Sequence, residues 1–313
     1  MDIVLLFPGQ GSQKPGMGRD LVEGFPAARD VFARADAALS APLSRLCFEG
    51  PSDELTQTQN AQPALLAHSA AVWASTRDAI GANVVAAAGH SLGEFTAYYA
   101  AESLGLEAAL RVVRRRGELM YQSGRERPGA MAAVVGDLHR PIEEICEQAT
   151  KEAGLVVPAN YNCPGQIVIS GELSGVDRAT AMAKAAGAKL TVRLNVSGAF
   201  HSPLMELASA GLSEALTSVS FSDPQFAVYA NVNGEAVLKA SRAKELLLQQ
   251  LASPVRWTDE VRALAARYPQ ALYVEMGAGK VLVGLVKKIA PSLRIAACGT
   301  ALEVQQLREL ADT

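Results

Sequence analysis

Only four of the 313 residues are cysteine, and Cys47, Cys146, Cys163 and Cys298 stand far apart, with no CxxC pair and no Cys/His cluster. A disulfide scaffold and a structural zinc site are therefore excluded as organising principles, and a reducing compartment fits best. Long apolar runs are missing too, so nothing reads as a membrane span. The opening MDIVLLFPGQ has no basic leader, and its apolar run is too short for a signal peptide. Basic excess is also absent. The 29 Lys and Arg are outnumbered by 32 Asp and Glu, for a formal net charge of −3, which argues against nucleic acid as the main partner. The expectation is a soluble, cytoplasmic protein that binds neither membrane nor nucleic acid. With no coiled-coil repeat and no exposed apolar helix pattern, a monomer is expected.

What the chain does have is apolar mass: 49% of it is hydrophobic, enough for one large domain or a large domain with a smaller insert. IVLLFPGQGSQKPGMG reads as a buried strand breaking into a glycine-rich loop, and ANVVAAAGH as a second short strand. Helical patterns occupy 27–39 and 63–80, and another helix starts near Glu94. Strands alternating with helices indicate an α/β fold with a parallel sheet covered on both faces. Helices near 203–217 and 241–252, and strands FAVYANV, ALYVEMG and RIAACG, continue that pattern.

The stretch 128–196 differs. GAMAAVVG is a strand and PIEEICEQATKEAG a helix. Two strands flank the Pro164–Gly165 turn, a helix with Ser174 as N-cap follows, and KLTVRLNVS is a last strand. The order β-α-β-β-α-β is the ferredoxin-like pattern. The expected architecture is a large α/β-hydrolase-like domain, residues 1–127 and 197–313, carrying an inserted ferredoxin-like subdomain at 128–196.

Three places carry candidate chemistry. The first is AAAGHSLGEFTAYY, where Gly89, Ser91 and Gly93 form Gly-x-Ser-x-Gly between a strand and a helix, the nucleophile-elbow pattern. Side chains at either glycine would strike the crossing strand and helix. The new helix points its free N–H groups at the serine, and the N–H of Leu92 is placed to donate to an oxyanion. The alternative is a serine that merely caps a helix. The second is the base that such a serine needs. Of the four histidines, His68 lies in a helical pattern, His139 in a polar turn, and His90 reads as a packed, hydrogen-bonded neighbour. His201 sits in a loop between strand and helix, where catalytic groups gather; it is either the base or a loop-packing residue. Asp137 and Asp177 lie between serine and histidine in chain order but fall in the insert, so a backbone carbonyl is the more attractive orienting group for the imidazole.

The third is an arginine. In EAALRVVRRRGELMYQ, a turn of 100° per residue puts Ala109, Val113 and Met120 on one face with Val112 and Leu119 beside them. Arg111, Arg114 and Arg115 fall outside that face and read as solvated charge, but Arg116 falls in its middle. A buried guanidinium costs several kcal/mol unless paired. Either an internal ion pair or a snorkelling stem resolves this, or Arg116 awaits a ligand anion.

With these residues in place, the chain resembles the malonyl-CoA:acyl carrier protein transacylases, which share their fold with polyketide synthase acyltransferase domains. The resemblance runs in order through FPGQGSQ, AQPALL, GHSLGE, RRRGELM, GAMAAVVG, NYNCPGQIVISG, VSGAFHSPLM, QQLASPVRW and VEMGAGKVLVGLVKK, nearly the whole chain. It implies ping-pong malonyl transfer from CoA to the phosphopantetheine thiol of acyl carrier protein. It assigns Ser91 as nucleophile, His201 as base and Arg116 to the substrate carboxylate. Backbone N–H groups of Gln10 and Leu92 become the oxyanion hole, and Gln250 offers its main-chain carbonyl to the histidine. Gln62 lines the site in relatives, though a polar residue near a helix start explains it equally. Phe200 and Leu92 match malonyl-selecting members. The resemblance implies no metal or redox cofactor. Acyl carrier proteins are acidic, so a basic patch is expected near the site mouth, from Arg114, Arg115, Lys184, Lys189, Lys287 and Lys288. A free-standing polyketide acyltransferase and a malonate-decarboxylase loading subunit carry the same motifs. Outside the family, a serine esterase or a non-catalytic docking subunit are the alternatives.

Overall fold

The structure is a computed structural model and describes residues 1–311. Ten strands run in chain order: β1 (Ile3–Phe7), β2 (Val84–Gly89), β3 (Gly129–Val135), β4 (Val156–Cys163), β5 (Gln166–Glu172), β6 (Leu190–Arg193), β7 (Ala227–Tyr229), β8 (Ala236–Val237), β9 (Leu272–Met276) and β10 (Arg294–Cys298). They form two sheets. The larger has the order β10-β9-β1-β2-β7-β8, parallel throughout except for β8, which is antiparallel to β7. IVLLF is at its centre and buried along its whole length, as expected of a parallel strand covered by helices on both faces. The smaller sheet is antiparallel, with the order β4-β5-β3-β6. The helices Ile142–Ala153 and Leu173–Ala185 cover it, joined to it by a separate apolar cluster around Ile145, Ile169 and Ala179.

The β-α-β-β-α-β order of 129–193 and the α/β class are as the sequence indicates. Several details differ. Ser174 does not cap its helix: the helix starts at Leu173 with Glu172 in the cap position, and Ser174 Oγ donates instead to the Ala153 carbonyl at 2.7 Å. FAVYANV is a strand only as far as Tyr229. The chain then turns through Ala230–Gly234 into β8, a two-residue strand too short to carry a periodic signal. KLTVRLNVS pairs only over Leu190–Arg193. Arg114 is half-buried rather than solvated, because its Nη1 donates to Asn60 Oδ1 at 2.6 Å at the start of the neighbouring helix Thr58–Ile80. Among the described residues no helix is long and apolar enough to cross a membrane, and no group of three or more His, Cys, Asp or Glu could hold a metal ion.

The parallel register aligns Phe7 with Gly89, so β1 and β2 end side by side. Their C-terminal ends release the FPGQG and GHSLG loops into one crevice, where ligands gather in open parallel sheets.

Candidate active site

The elbow is a set of close backbone approaches. A Cβ on Gly89 would overlap the Gly93 backbone, and one on Gly93 would overlap the Phe7 carbonyl of β1. Only hydrogen fits at either place. Between them Ser91 takes φ +53°, in the left-handed region, at the start of the helix Gly93–Ala100. Such a backbone costs an L-residue about 1–3 kcal/mol and persists only where its surroundings hold it. Here Asn231 does much of the holding. Its Oδ1 accepts from the Ser91 N–H at 2.7 Å, and its Nδ2 donates to the Gly89 carbonyl at 2.7 Å.

Ser91 Oγ lies 2.8 Å from His201 Nε2. His201 Nδ1 faces the Gln250 carbonyl at 3.0 Å and the Ser253 carbonyl at 3.2 Å. Carbonyls only accept, so Nδ1 carries the proton and Nε2 presents a lone pair to the serine. Asp137 is exposed and Asp177 pairs with Arg193 on the surface, so neither approaches the imidazole. Burial and the nearby Arg116 charge push the His201 pKa down to about 3, which keeps the imidazole neutral. His90 is half-buried and gives its Nε2–H to Asn162 Oδ1 at 2.8 Å, a packed neighbour of the elbow as its position suggested.

Arg116 is 1% exposed, and the partners of its guanidinium are neutral. Nη1 donates to Gln62 Oε1 at 2.7 Å. Nη2 donates to Gln250 Oε1 at 2.9 Å and to Ser91 Oγ at 3.1 Å. The carbon of the guanidinium sits 5.5 Å from the centre of the Phe95 ring, and Nε has no partner among the described residues. The internal ion pair that would have explained this arginine away is not made among the described residues. Burial lowers its pKa to about 10, so it remains a cation at neutral pH.

A cavity of about 300 Å³ opens over these groups. Gln10, Gln62, Ser91, Leu92, Arg116, Phe200 and His201 line it, together with Met120, Met131, Leu194 and Val196. The backbone N–H groups of Gln10 and Leu92 have no hydrogen-bond partner among the described residues. The Gln10 loop is held by its own side chain, whose Oε1 accepts from Thr58 Oγ1 at 2.8 Å. Gln62 lies in the second turn of the helix Thr58–Ile80, at 1% exposure, and its carboxamide bridges the two: Oε1 accepts from the guanidinium and Nε2 donates to Thr58 Oγ1 at the helix start at 3.1 Å. All eight residues singled out in the sequence thus meet in one place.

Sequence reasoning missed the polar layer beneath. Gln250 was valued only for its carbonyl, yet its Nε2 donates to Glu94 Oε2 at 2.7 Å and to the Ser91 carbonyl at 3.0 Å. Glu94 also accepts from the Asn231 N–H at 3.1 Å, and Asn231 Nδ2 reaches both oxygens of Glu260. All four side chains are fully buried. Burial pushes the Glu94 pKa up to about 7 and that of Glu260 well above the usual carboxylate range. The one sequence sign was Glu94 itself, the single charged residue, in the first turn, of a helix otherwise of Gly, Ala, Thr and aromatic residues.

Residues 4–296 match the acyl transferase domain family. The malonyl CoA-acyl carrier protein transacylase of Bacillus subtilis (strain 168) is 43% identical, over 99% of this chain and 98% of its own length. The crystal structure of the acyl-carrier-protein-S-malonyltransferase from Bartonella henselae superposes with a TM-score of 0.94 at 41% identity, covering 100% of both chains. A malonyl-transacylase solved in complex with its type II PKS acyl-carrier protein superposes at 0.93 and 37% identity, over 99% of this chain and 100% of that one. On this footing the chain belongs to the acyl transferase domain family and, within it, to the malonyl CoA-acyl carrier protein transacylases.

Proposed function

We propose that this protein transfers malonyl from malonyl-CoA to the thiol of an acyl carrier protein through a malonyl-Ser91 intermediate. The observation that carries the reading is Arg116, a buried cation with neutral partners only, 3.1 Å from the candidate nucleophile. A malonyl group has a carboxylate two carbons from its thioester carbonyl. One end can pair with the guanidinium while the other meets Ser91 Oγ. An esterase has no use for that charge.

In the first half-reaction His201 Nε2 takes the Ser91 proton as Oγ attacks the thioester carbon. The oxyanion forms between the Gln10 and Leu92 N–H groups, and the loss of one such donor typically costs about 10²–10³-fold. Collapse breaks the C–S bond, and the imidazolium returns its proton to the departing sulfur, releasing CoA thiol. The carrier thiol then attacks the malonyl ester with His201 again as base. Each step uses this chain's own side chains and backbone. Phe200 and Leu92 wall the acyl end and favour malonyl over branched units. The carrier docks by its acidic surface on basic residues near the mouth; Lys184, Lys189, Lys287 and Lys288 are exposed and available for this, as is Arg115 on giving up its exposed pair with Glu118, whereas Arg114 is committed to Asn60. The site is complete within one chain, which supports a monomer, and four free, buried cysteines fit the cytoplasm.

The test is release of CoA from malonyl-CoA with and without each candidate carrier. Release that depends on carrier supports transfer, and equal release without it means hydrolysis. Carriers of fatty-acid, polyketide and malonate-decarboxylase type, assayed side by side, rank the natural acceptor.

Two further outcomes are expected. The His201 pKa lies near 3, below the ordinary 6.5, so acidification leaves the base unprotonated until far below neutrality. For malonyl-CoA, kcat/KM should therefore show no acid limb between pH 8 and about 5, measured over the range where circular dichroism shows the fold intact. A limb near 6.5 would mean the free imidazole is ordinary. Asn231→Ala removes the clamp on the elbow without touching the cavity. Acyl-enzyme formation should slow by about 10²-fold with KM within about threefold, as for a small misplacement of a nucleophile.

A further inference from the structure

The nucleophile does not rest free. Ser91 Oγ has one proton, and the lone pair at His201 Nε2, 2.8 Å away, receives it. Arg116 Nη2, 3.1 Å away, then occupies a lone pair of the oxygen that must attack. The guanidinium is drawn there because nothing nearby balances it. Gln62 Oε1 and Gln250 Oε1 are neutral, and Glu94, the nearest acid in its electrostatic surroundings, spends Oε2 on Gln250 and on the Asn231 N–H. Two cations would also face each other during attack, since the imidazolium forms on the other side of the same oxygen. The charged and titratable groups around that imidazole are Arg116 and His90, with Glu94 beyond Arg116.

We propose that the carboxylate of the acyl group is a trigger as well as a handle: by taking the Arg116 guanidinium into an ion pair, it frees the Ser91 lone pair and balances the charge facing His201. This rests on the malonyl-transfer reading and extends it. Acyl thioesters without a carboxylate then fail at the chemical step even when bound. The step is the one already written. The Ser91 O–H bond breaks to His201 Nε2, an O–C bond forms as the carbonyl pair moves to oxygen, and the C–S bond breaks with the proton passing to sulfur. Only the charge beside it changes, from an unbalanced guanidinium to a neutral pair. Selection for malonyl therefore appears in kcat for acylation and not in KM alone.

The test splits the substrate in two. Acetyl-CoA supplies the thioester, and sodium formate supplies a separate one-carbon carboxylate small enough to reach Arg116. Acetyl-Ser91 is followed by rapid quench and intact-protein mass at saturating acetyl-CoA, with equal sodium chloride as reference. Formate should raise the wild-type rate saturably, by about tenfold, a modest part of what a working base contributes. In Arg116→Gln, which removes the charge but keeps a polar side chain, acetylation should start faster than in the wild type and formate should have no effect. The trigger is overturned if formate leaves the wild-type rate unchanged or lowers it, or if it speeds Arg116→Gln equally. If formate is inert while Arg116→Gln loses malonyl preference through KM alone, the handle stands and the trigger falls. If Arg116→Gln keeps its malonyl preference, the handle itself is wrong and the trigger falls with it.

Discussion

Ser91→Ala forms no malonyl-enzyme, and its transfer rate falls by on the order of 10⁶-fold, as when the nucleophile of a serine hydrolase is removed. The size of the effect follows from how little else can replace the hydroxyl. His201 Nε2 would face a methyl group, and the other hydroxyl in the cavity wall, that of Thr56, is turned to the Ser52 carbonyl at 2.8 Å and not to His201. The fold survives the change, because the clamp on the elbow is made by backbone. The Ser91 N–H still meets Asn231 Oδ1, and the Ser91 carbonyl still meets Gln250 Nε2. Arg116 loses one acceptor but keeps Gln62 and Gln250. Intact-protein mass after mixing with malonyl-CoA reads the result. A malonyl adduct on the alanine variant, or transfer within tenfold of wild type, would remove Ser91 from the mechanism.

The second large effect is at Arg116. Arg116→Ala should lower kcat/KM for malonyl-CoA by roughly 30- to several-thousand-fold, the equivalent of about 2–5 kcal/mol for a truncated buried charge pair. Acetyl-CoA, which offers no carboxylate, should lose nothing and react somewhat faster, so the preference for malonyl collapses. The same residue predicts an opposite change in stability. A desolvated guanidinium among neutral partners destabilises the empty protein, and an apolar side chain of similar length relieves it by about 1–4 kcal/mol. Arg116→Met should therefore melt a few degrees above wild type while being nearly inactive on malonyl-CoA, the trade expected where a binding site is held strained for its ligand. Scanning calorimetry beside a two-substrate assay reads both. A variant that loses stability as well as activity would indicate that Arg116 supports the fold.

Arg116 was legible because burial on a helix repeats every 3.6 residues. The face defined by Ala109, Val113 and Met120 names the direction in which residue 116 points, whatever packs against it. The elbow was legible for a related reason: a strand, two glycines and a helix start are local, and their steric demands hold within five residues. Arg114 shows the limit. Periodicity gave its direction, outside the main apolar face, but not the helix start that brings Asn60 within 2.6 Å. Ser174 shows another, since a good N-cap residue lost the role to Glu172, two residues earlier, where the helix is capped. The buried layer was illegible altogether. Asn231 meets Gly89 from 142 positions away, and Gln250 meets Glu94 from 156. A lone asparagine or glutamine in a sequence carries no sign of such a partner. Only the parallel sheet, which brings the ends of β1, β2 and β7 together, makes these contacts.

The structure of the trapped malonyl-Ser91 enzyme tests the account most directly. The malonyl carboxylate should lie against the Arg116 guanidinium with N–O distances of about 2.7–2.9 Å, Nη2 should have left Ser91 Oγ, and the ester carbonyl should point between the Gln10 and Leu92 N–H groups. A carboxylate turned to solvent, with Arg116 still on Gln62 and Gln250 and far from the acyl group, would contradict it.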